Sequence, residues 1–270
     1  MKNDSGRSVV YLVGAGPGDP EFLTCKARRL IGEADCVVYD RLVSDEILAL
    51  IPPGAARFNV GKRPGYHAVR QENINTLLAV LARGGRRIVR LKGGDPFMFG
   101  RGSEEYAALA AAGIACEVVP GVTSASACAA SVGVPLTHRG LATSVRFITG
   151  HCRADAELNF DWQGLADPDT TLVVYMGFAN IGRIAERVMA HGLDPATPAV
   201  VICEGTTPRQ RHIRATLGAI AQAAAEAKFD GPVLFVIGRT AGLAWAGEET
   251  EGKFADRGRY AELLSGVAAE

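Results

Sequence analysis

The stretch 86–106, RRIVRLKGGDPFMFGRGSEEY, constrains the fold more than any other part of the chain. Ile88, Val89 and Leu91 form the short apolar run of a buried strand, and Gly93-Gly94 break it into a loop whose backbone a ligand can approach closely. Asp95-Pro96 sets the direction of that loop, Phe97 and Phe99 give it apolar walls, and Gly100-Arg101-Gly102 presents one cation between two residues without side chains. Ser103 followed by Glu104 and Glu105 reads as a helix start, with a capping hydroxyl and carboxylates at the positive end of the macrodipole. An ordinary strand-to-helix turn explains the glycines and the cap. It does not explain two aromatics, an arginine and an acid in one loop.

The same alternation of strand, loop and helix runs through the chain. Val9 to Val13 forms a first strand that enters Gly14-Ala15-Gly16-Pro17-Gly18-Asp19-Pro20. A dinucleotide fingerprint needs a third glycine where Asp19 stands, and Pro17 removes a backbone N–H from the turn that would cradle a pyrophosphate. The loop therefore suits a ligand without phosphate, with a plain tight turn as the alternative. Thr24 caps a helix that carries Ala27, Leu30, Ile31 and Ala34 inward, and Cys36 to Tyr39 is the next strand, ending at Asp40-Arg41. An acid there can bind a ribose or face a substrate. Arg57 to Val60 ends in Gly61-Lys62-Arg63, which places basic side chains at the ligand end of an α/β sheet or simply in a solvated turn. Ile74, Leu77, Leu78 and Leu81 make a helix that Gly84 is expected to cap.

A helix through Leu109 and a strand from Cys116 to Val119 lead to Pro120-Gly121-Val122-Thr123-Ser124-Ala125. There, small residues permit close approach of backbone or ligand, and the Thr123 and Ser124 hydroxyls can bond polar groups. The break at Pro135 to Arg139 is the expected domain boundary. Beyond it Val145 to Thr149, Thr171 to Met176, Ala199 to Cys203, His212 to Leu217 and Val233 to Ile237 are strands, and Ile181, Ile184, Ala185 and Val188 line a helix stopped by Gly192. His151 stands alone, with no second ligand at metal spacing, so no metal site is expected.

Two domains are the ordinary expectation for 270 residues. Lys plus Arg and Asp plus Glu each number 29, so no global field draws the chain to nucleic acid or to a membrane surface. Six scattered cysteines without a C-x-x-C pair read as reduced thiols of a cytoplasmic protein, and neither a signal core nor an 18-residue apolar run is present in the sequence.

Taken in order, VGAGPGDPEFLT, ADCVVYDRLVS, VGKR, RLKGGDPFMFGRGSEE, VVPGVTSASACAASVGVPLTHR, VRFITGH, TLVVYMG and CEGTTPRQ resemble the uroporphyrinogen-III C-methyltransferases of the tetrapyrrole methylase family. The resemblance extends from Val9 to about Trp245. It implies a two-domain α/β fold: a mostly parallel sheet with helices over 8–136, a second α/β domain with a mixed sheet over 137–247, a charged tail at 248–270, and a cofactor in the crevice between the domains. It also implies transfer of methyl groups from S-adenosyl-L-methionine to uroporphyrinogen III at C2 and C7, giving precorrin-2 and S-adenosyl-L-homocysteine, in a homodimer. The dehydrogenase and chelatase module of some relatives is expected to be missing. Ser103 and Ser124 stand where the family usually has glycine and alanine.

By motif position, Pro17, Gly93, Gly94, Asp95, Met98, Thr123, Ser124, Met176 and Gly205 are expected to touch the cofactor. Arg41, Arg139, His151 and Met176 are expected at the substrate, an octacarboxylate that needs paired cations. Asp40, Lys62, Arg101 and Glu104 resemble catalytic positions. Since a guanidinium keeps its proton, Arg101 reads as an anchor for carboxylates, with Asp40 or Glu104 closer to a base. Another precorrin methylase, a nicotinamide oxidoreductase and a non-catalytic tetrapyrrole carrier are the alternatives. The last two have no use for Pro17-Gly18-Asp19 or for a glycine-lined cofactor site, respectively.

Overall fold

A computed structural model describes residues 9–61, 70–151 and 158–243, so Lys62 and the tail 248–270 lie outside the described residues. The chain divides into two units between Ser124 and Ala125.

In the first unit the apolar runs become Val9–Gly14 (β1), Cys36–Tyr39 (β2), Ala56–Asn59 (β3), Ile88–Lys92 (β4) and Ala115–Val119 (β5). They form one sheet in the order β3-β2-β4-β1-β5, with every neighbouring pair parallel. A parallel sheet is covered on both faces, which explains runs too short and too apolar to alternate. Cys25–Gly32 (α1) and Asp45–Leu48 (α2) bring Ala27, Leu30, Ile31 and Ile47 against Val13, Val37, Val89 and Leu91. Gln71–Ala82 (α3) and Gly102–Ala111 (α4) bring Ile74, Leu78 and Leu109 against Val10, Leu12, Val38 and Ile88 on the other face.

The local signals explain most of the boundaries. The Thr24 hydroxyl accepts the Ala27 N–H at 3.1 Å and starts α1 as expected. Two details differ. The left-handed residue after α3 is Gly85, with φ of 70°, rather than Gly84, because Arg83 is still right-handed and delays the turn by one position. Ser103 does not cap α4. The chain enters that helix through Arg101, itself left-handed at φ 57°, while the Gly102 N–H bonds the Pro96 carbonyl at 3.0 Å, so Ser103 already lies inside the first turn.

The second unit begins at Ala125, inside Ser124–Ser131 (α5), ahead of the break expected near Pro135. The reason is packing: Ala125, Cys128 and Ala129 lie in one core with Val173, Val200 and Val236 of the second sheet. That sheet contains Ser144–Thr149 (β6), Thr170–Tyr175 (β7), Pro198–Cys203 (β8), Arg211–Thr216 (β9) and Val233–Ile237 (β10), in the order β6-β7-β10-β8-β9. β6 and β7 pair in parallel and the remaining pairs are antiparallel. Trp162–Leu165 (α6), Ile181–Ala190 (α7) and Ile220–Glu226 (α8) cover its other face, where Ile184 and Val188 meet Val174, Val201 and Phe235. Among the described residues no helix is long and apolar enough to cross a membrane.

Candidate active site

In the first unit, β1 and β4 are neighbours whose connections leave in opposite directions, β1 toward β2 and β4 toward β5. Such a switch point, at the carboxyl ends of the strands, is where open α/β sheets bind ligands. Here it is built of bare backbone. Ala15 N–H donates to the Lys92 carbonyl at 2.8 Å, and Gly16 and Gly94 exchange N–H···O bonds of 3.1 and 2.7 Å. A Cβ on Gly14 would lie 2.5 Å from Gly121 N and 2.7 Å from Gly94 O, so three strand ends converge with no room for side chains. Asp95 fastens this arrangement: its Oδ1 accepts the Phe97 N–H at 2.8 Å and its Oδ2 the Gly121 N–H at 3.0 Å. Met98 N–H closes the turn onto the Asp95 carbonyl at 3.3 Å, and the Ser124 hydroxyl lies 3.6 Å from where a Gly94 Cβ would point. Thr123 stands between Gly121 and Ser124. Pro17 lies in the preceding turn, where Asp19 accepts the Glu21 N–H at 2.8 Å and caps the 3-10 turn Pro20–Phe22. Gly93 has a different reason to be bare: a Cβ there would stand 2.8 Å from that of Leu42.

Charged groups surround these strand ends. Arg101 and Glu104 form a paired fork, Nε to Oε1 at 2.7 Å and Nη2 to Oε2 at 2.6 Å, both side chains about half exposed. The hydrogen bond to Glu104 raises the Arg101 pKa further. The arginine expected to be free for a ligand thus already holds a carboxylate. Asp40 follows β2 and faces Arg90 at 3.5 Å, and Arg41 beside it is exposed. Glu105 is fully buried, with its Oε1 accepting from Arg90 Nε at 3.1 Å, Lys92 Nζ at 3.0 Å and Gln71 Nε2 at 3.2 Å. Burial, reinforced by the charge of Arg90, pushes the Lys92 ammonium below its ordinary pKa despite Glu105.

Arg139, His151, Met176 and Gly205 belong to the second unit. Arg139 and His151 are exposed; the Arg139 carbonyl lies 2.6 Å from His138 Nδ1, and the His151 N–H bonds Thr149 Oγ1 at 3.2 Å. Met176 is half exposed and left-handed at φ 51° directly after β7, and Gly205 packs against the Cys128 side chain after β8. Phe99, Arg101, Met176, Glu204 and Thr206 all take positive φ in loops that follow strands. Strain of about 1–3 kcal/mol per residue is commonly stored at functional sites.

The sequence profile described as Tetrapyrrole (Corrin/Porphyrin) Methylases matches residues 9–221. The chain belongs to the tetrapyrrole methylase family. Among its relatives is the uroporphyrinogen-III C-methyltransferase of Paracoccus denitrificans, 50% identical over 244 residues that cover 90% of this chain and 85% of that protein. The siroheme synthase of Pseudomonas aeruginosa is 52% identical over 87% of this chain, which spans only 50% of that longer protein. The crystal structure of the Thermus thermophilus uroporphyrin-III C-methyltransferase complexed with S-adenosyl homocysteine aligns with a TM-score of 0.75 at 42% identity, covering 87% of this chain and 99% of that one. In this methylase the pairing of Arg90 and Lys92 with a buried Glu105 is not among the site contacts expected from the sequence. The available signal was two cations at alternate positions of a strand whose other residues are all apolar.

Proposed function

We propose that this methylase transfers methyl groups from S-adenosyl-L-methionine to C2 and C7 of uroporphyrinogen III, giving precorrin-2. Family membership and half-identity to a uroporphyrinogen-III C-methyltransferase over most of both chains support the activity. The structural observation that carries it is the bare backbone at the ends of β1, β4 and β5, where Gly14, Gly94 and Gly121 meet without side chains. A nicotinamide dinucleotide would need phosphate-binding N–H groups there. Pro17 lacks one and Asp19 is an anion, a combination suited to a cationic ligand carrying an amino-acid group.

S-adenosylmethionine would supply an electrophilic methyl on a sulfonium to the attacking pyrrole carbon, with the electron pair of the C–S bond left on sulfur. Gly93, Gly94, Asp95, Met98, Thr123 and Ser124 would hold it, with Asp95 fixing the loop rather than reaching outward. Most of the rate would come from holding attacking carbon and methyl in line. Arg101 would bind a substrate carboxylate in the fork that Glu104 now occupies. Asp40 would receive the proton that leaves the macrocycle. Met176 and Gly205 would belong to the cofactor's contacts, and Arg41, Arg139 and His151 to the substrate's.

Calorimetry with S-adenosylhomocysteine should give about one site per chain and raise the melting temperature by mass action. Uroporphyrinogen III incubated with the methyl donor should gain two methyl groups. No heat with S-adenosylhomocysteine and clear binding of NAD would sink the assignment. The reading includes a homodimer in the cytoplasm; a monomer by light scattering at micromolar concentration would remove the dimer.

A further inference from the structure

Beneath the 93–102 loop lie buried charges that neither the cofactor contacts nor the substrate contacts include. Ile88, Arg90 and Lys92 share the face of β4 turned toward α3 and α4, and Arg90 and Lys92 are only 3% and 4% exposed. Burying such charges is costly unless they are paired and hydrogen-bonded. Glu105 of α4 meets that requirement with one oxygen, which takes donors from Arg90, Lys92 and Gln71, while its buried Oε2 has no hydrogen-bond partner among the described residues. Gln71 is tied in turn to Asn75 at 3.0 Å, and Arg90 Nη1 donates to the Leu91 carbonyl at 3.0 Å.

The guanidinium is therefore held on two sides, and the remaining edge, Nη2, lies 3.5 Å from Asp40 Oδ2. Asp40 is the partly exposed member of the group, its side chain 26% exposed against 0% for Glu105. Two cations and two carboxylates make the set neutral when Asp40 is ionised. The Lys92 stem also runs under the loop: a Cβ on Gly100 would lie 3.3 Å from Lys92 Cε.

We infer that Glu105 is a positioning residue for methyl transfer, acting through Arg90 to fix the carboxylate of Asp40 where the departing proton is received. This rests on the function proposed above and on Asp40 as the acceptor. Glu105, fully buried, would touch neither substrate nor cofactor. The methylated carbon carries no hydrogen, so Asp40 takes the proton from an N–H or a bridging methylene of the cationic macrocycle. The electron pair of that bond neutralises the macrocycle, and Asp40, now neutral, releases the proton to solvent before the second methylation. Arg90 keeps its place because Glu105 still holds it, so the acceptor stays aligned for the second methylation.

The test is a double-mutant cycle read by single-turnover methylation of uroporphyrinogen III. Glu105→Gln should bind S-adenosylhomocysteine within about twofold of the parent and lose about tenfold in methylation rate, since small misplacements of a reacting group cost factors of this order. Added to Asp40→Asn it should cost less than about twofold more, because residues that act through one another are not additive. Glu105→Gln leaves two buried cations, so Glu105→Gln/Lys92→Met, which removes one charge of each sign, is read in its place if the single variant does not fold. Parental rates in a folded variant or losses that multiply with Asp40→Asn would overturn the inference alone; parental rates in Asp40→Asn would overturn it together with Asp40 as the acceptor and leave the methyl-transfer function standing. Failure of both Glu105 variants to fold would make the network purely structural and overturn it as well. A parent protein that does not methylate uroporphyrinogen III would overturn the function and the inference together.

Discussion

Arg101 carries more conformational cost than its visible partner repays. A left-handed φ on a residue with a side chain costs about 1–3 kcal/mol, whereas an exposed ion pair such as Arg101 with Glu104 contributes only roughly 0.2–1 kcal/mol. The difference is explained if the fork serves a carboxylate other than Glu104. Lysine at this position would keep the charge and lose the paired geometry. Arg101→Lys should therefore leave S-adenosylhomocysteine affinity and folding stability nearly unchanged, the latter within about 1 kcal/mol, while methyl transfer falls on the order of a hundredfold. Single-turnover rates and cofactor binding measured on the same samples decide it, and full activity in Arg101→Ala would take this residue out of the reaction.

At the scale of elements, the ends of β1, β4 and β5 act as one unit because backbone meets backbone there. Gly14→Ala would press a methyl group against Gly121 N and Gly94 O, neither of which can rotate away, and overpacking of this kind costs about 1–3 kcal/mol. Gly32→Ala, in the last turn of α1, meets nothing within 4 Å and should stabilise by roughly 0.5–1 kcal/mol through helix propensity. Denaturant unfolding of the two variants compares them directly; a neutral Gly14→Ala would mean the strand ends are looser than described. The strands themselves could be read from sequence, Cys36–Tyr39 to the residue, because an apolar run bounded by turn residues is a local signal. The glycine cluster could be read only in part: that Gly93 is bare was legible, but the neighbour that leaves no room for a Cβ there, Leu42, is far away in sequence. Ser103 looked like a cap because no sequence rule anticipates an arginine in the left-handed region. Arg90 and Lys92 fell silent for the same reason, since the acid that makes their burial tolerable sits on another element.

For the molecule as a whole, a net charge of zero conceals ionisable groups that respond to alkali in opposite directions. Burial raises the thiols of Cys36 and Cys203, and pushes Cys116 up to about 11 and Cys128 up to about 12, from an ordinary 9.0. A thiol with a raised folded-state pKa contributes stability that is complete below pH 9.0 and is lost as pH rises through its folded value, because the unfolded chain releases the proton first. Lys92 runs the other way: with its pKa lowered by burial, the unfolded chain binds more protons just below 10.5, and stability gains as pH climbs through that window. Overall unfolding curves would mix the two. Cys128→Ala isolates one thiol, in the core that Ala125 and Ala129 share with Val173 and Val200. The stability advantage of the parent over Cys128→Ala should be constant up to pH 9.0 and then shrink by about 1.4 kcal/mol per pH unit, in urea unfolding followed to about pH 10.5. The equivalent comparison for Lys92→Met should show the parent gaining on the variant as pH rises toward 10.5. A Cys128→Ala difference that stays flat over this range would mean that the thiol ionises as readily in the folded protein as in the unfolded chain, and that α5 leaves it open to water.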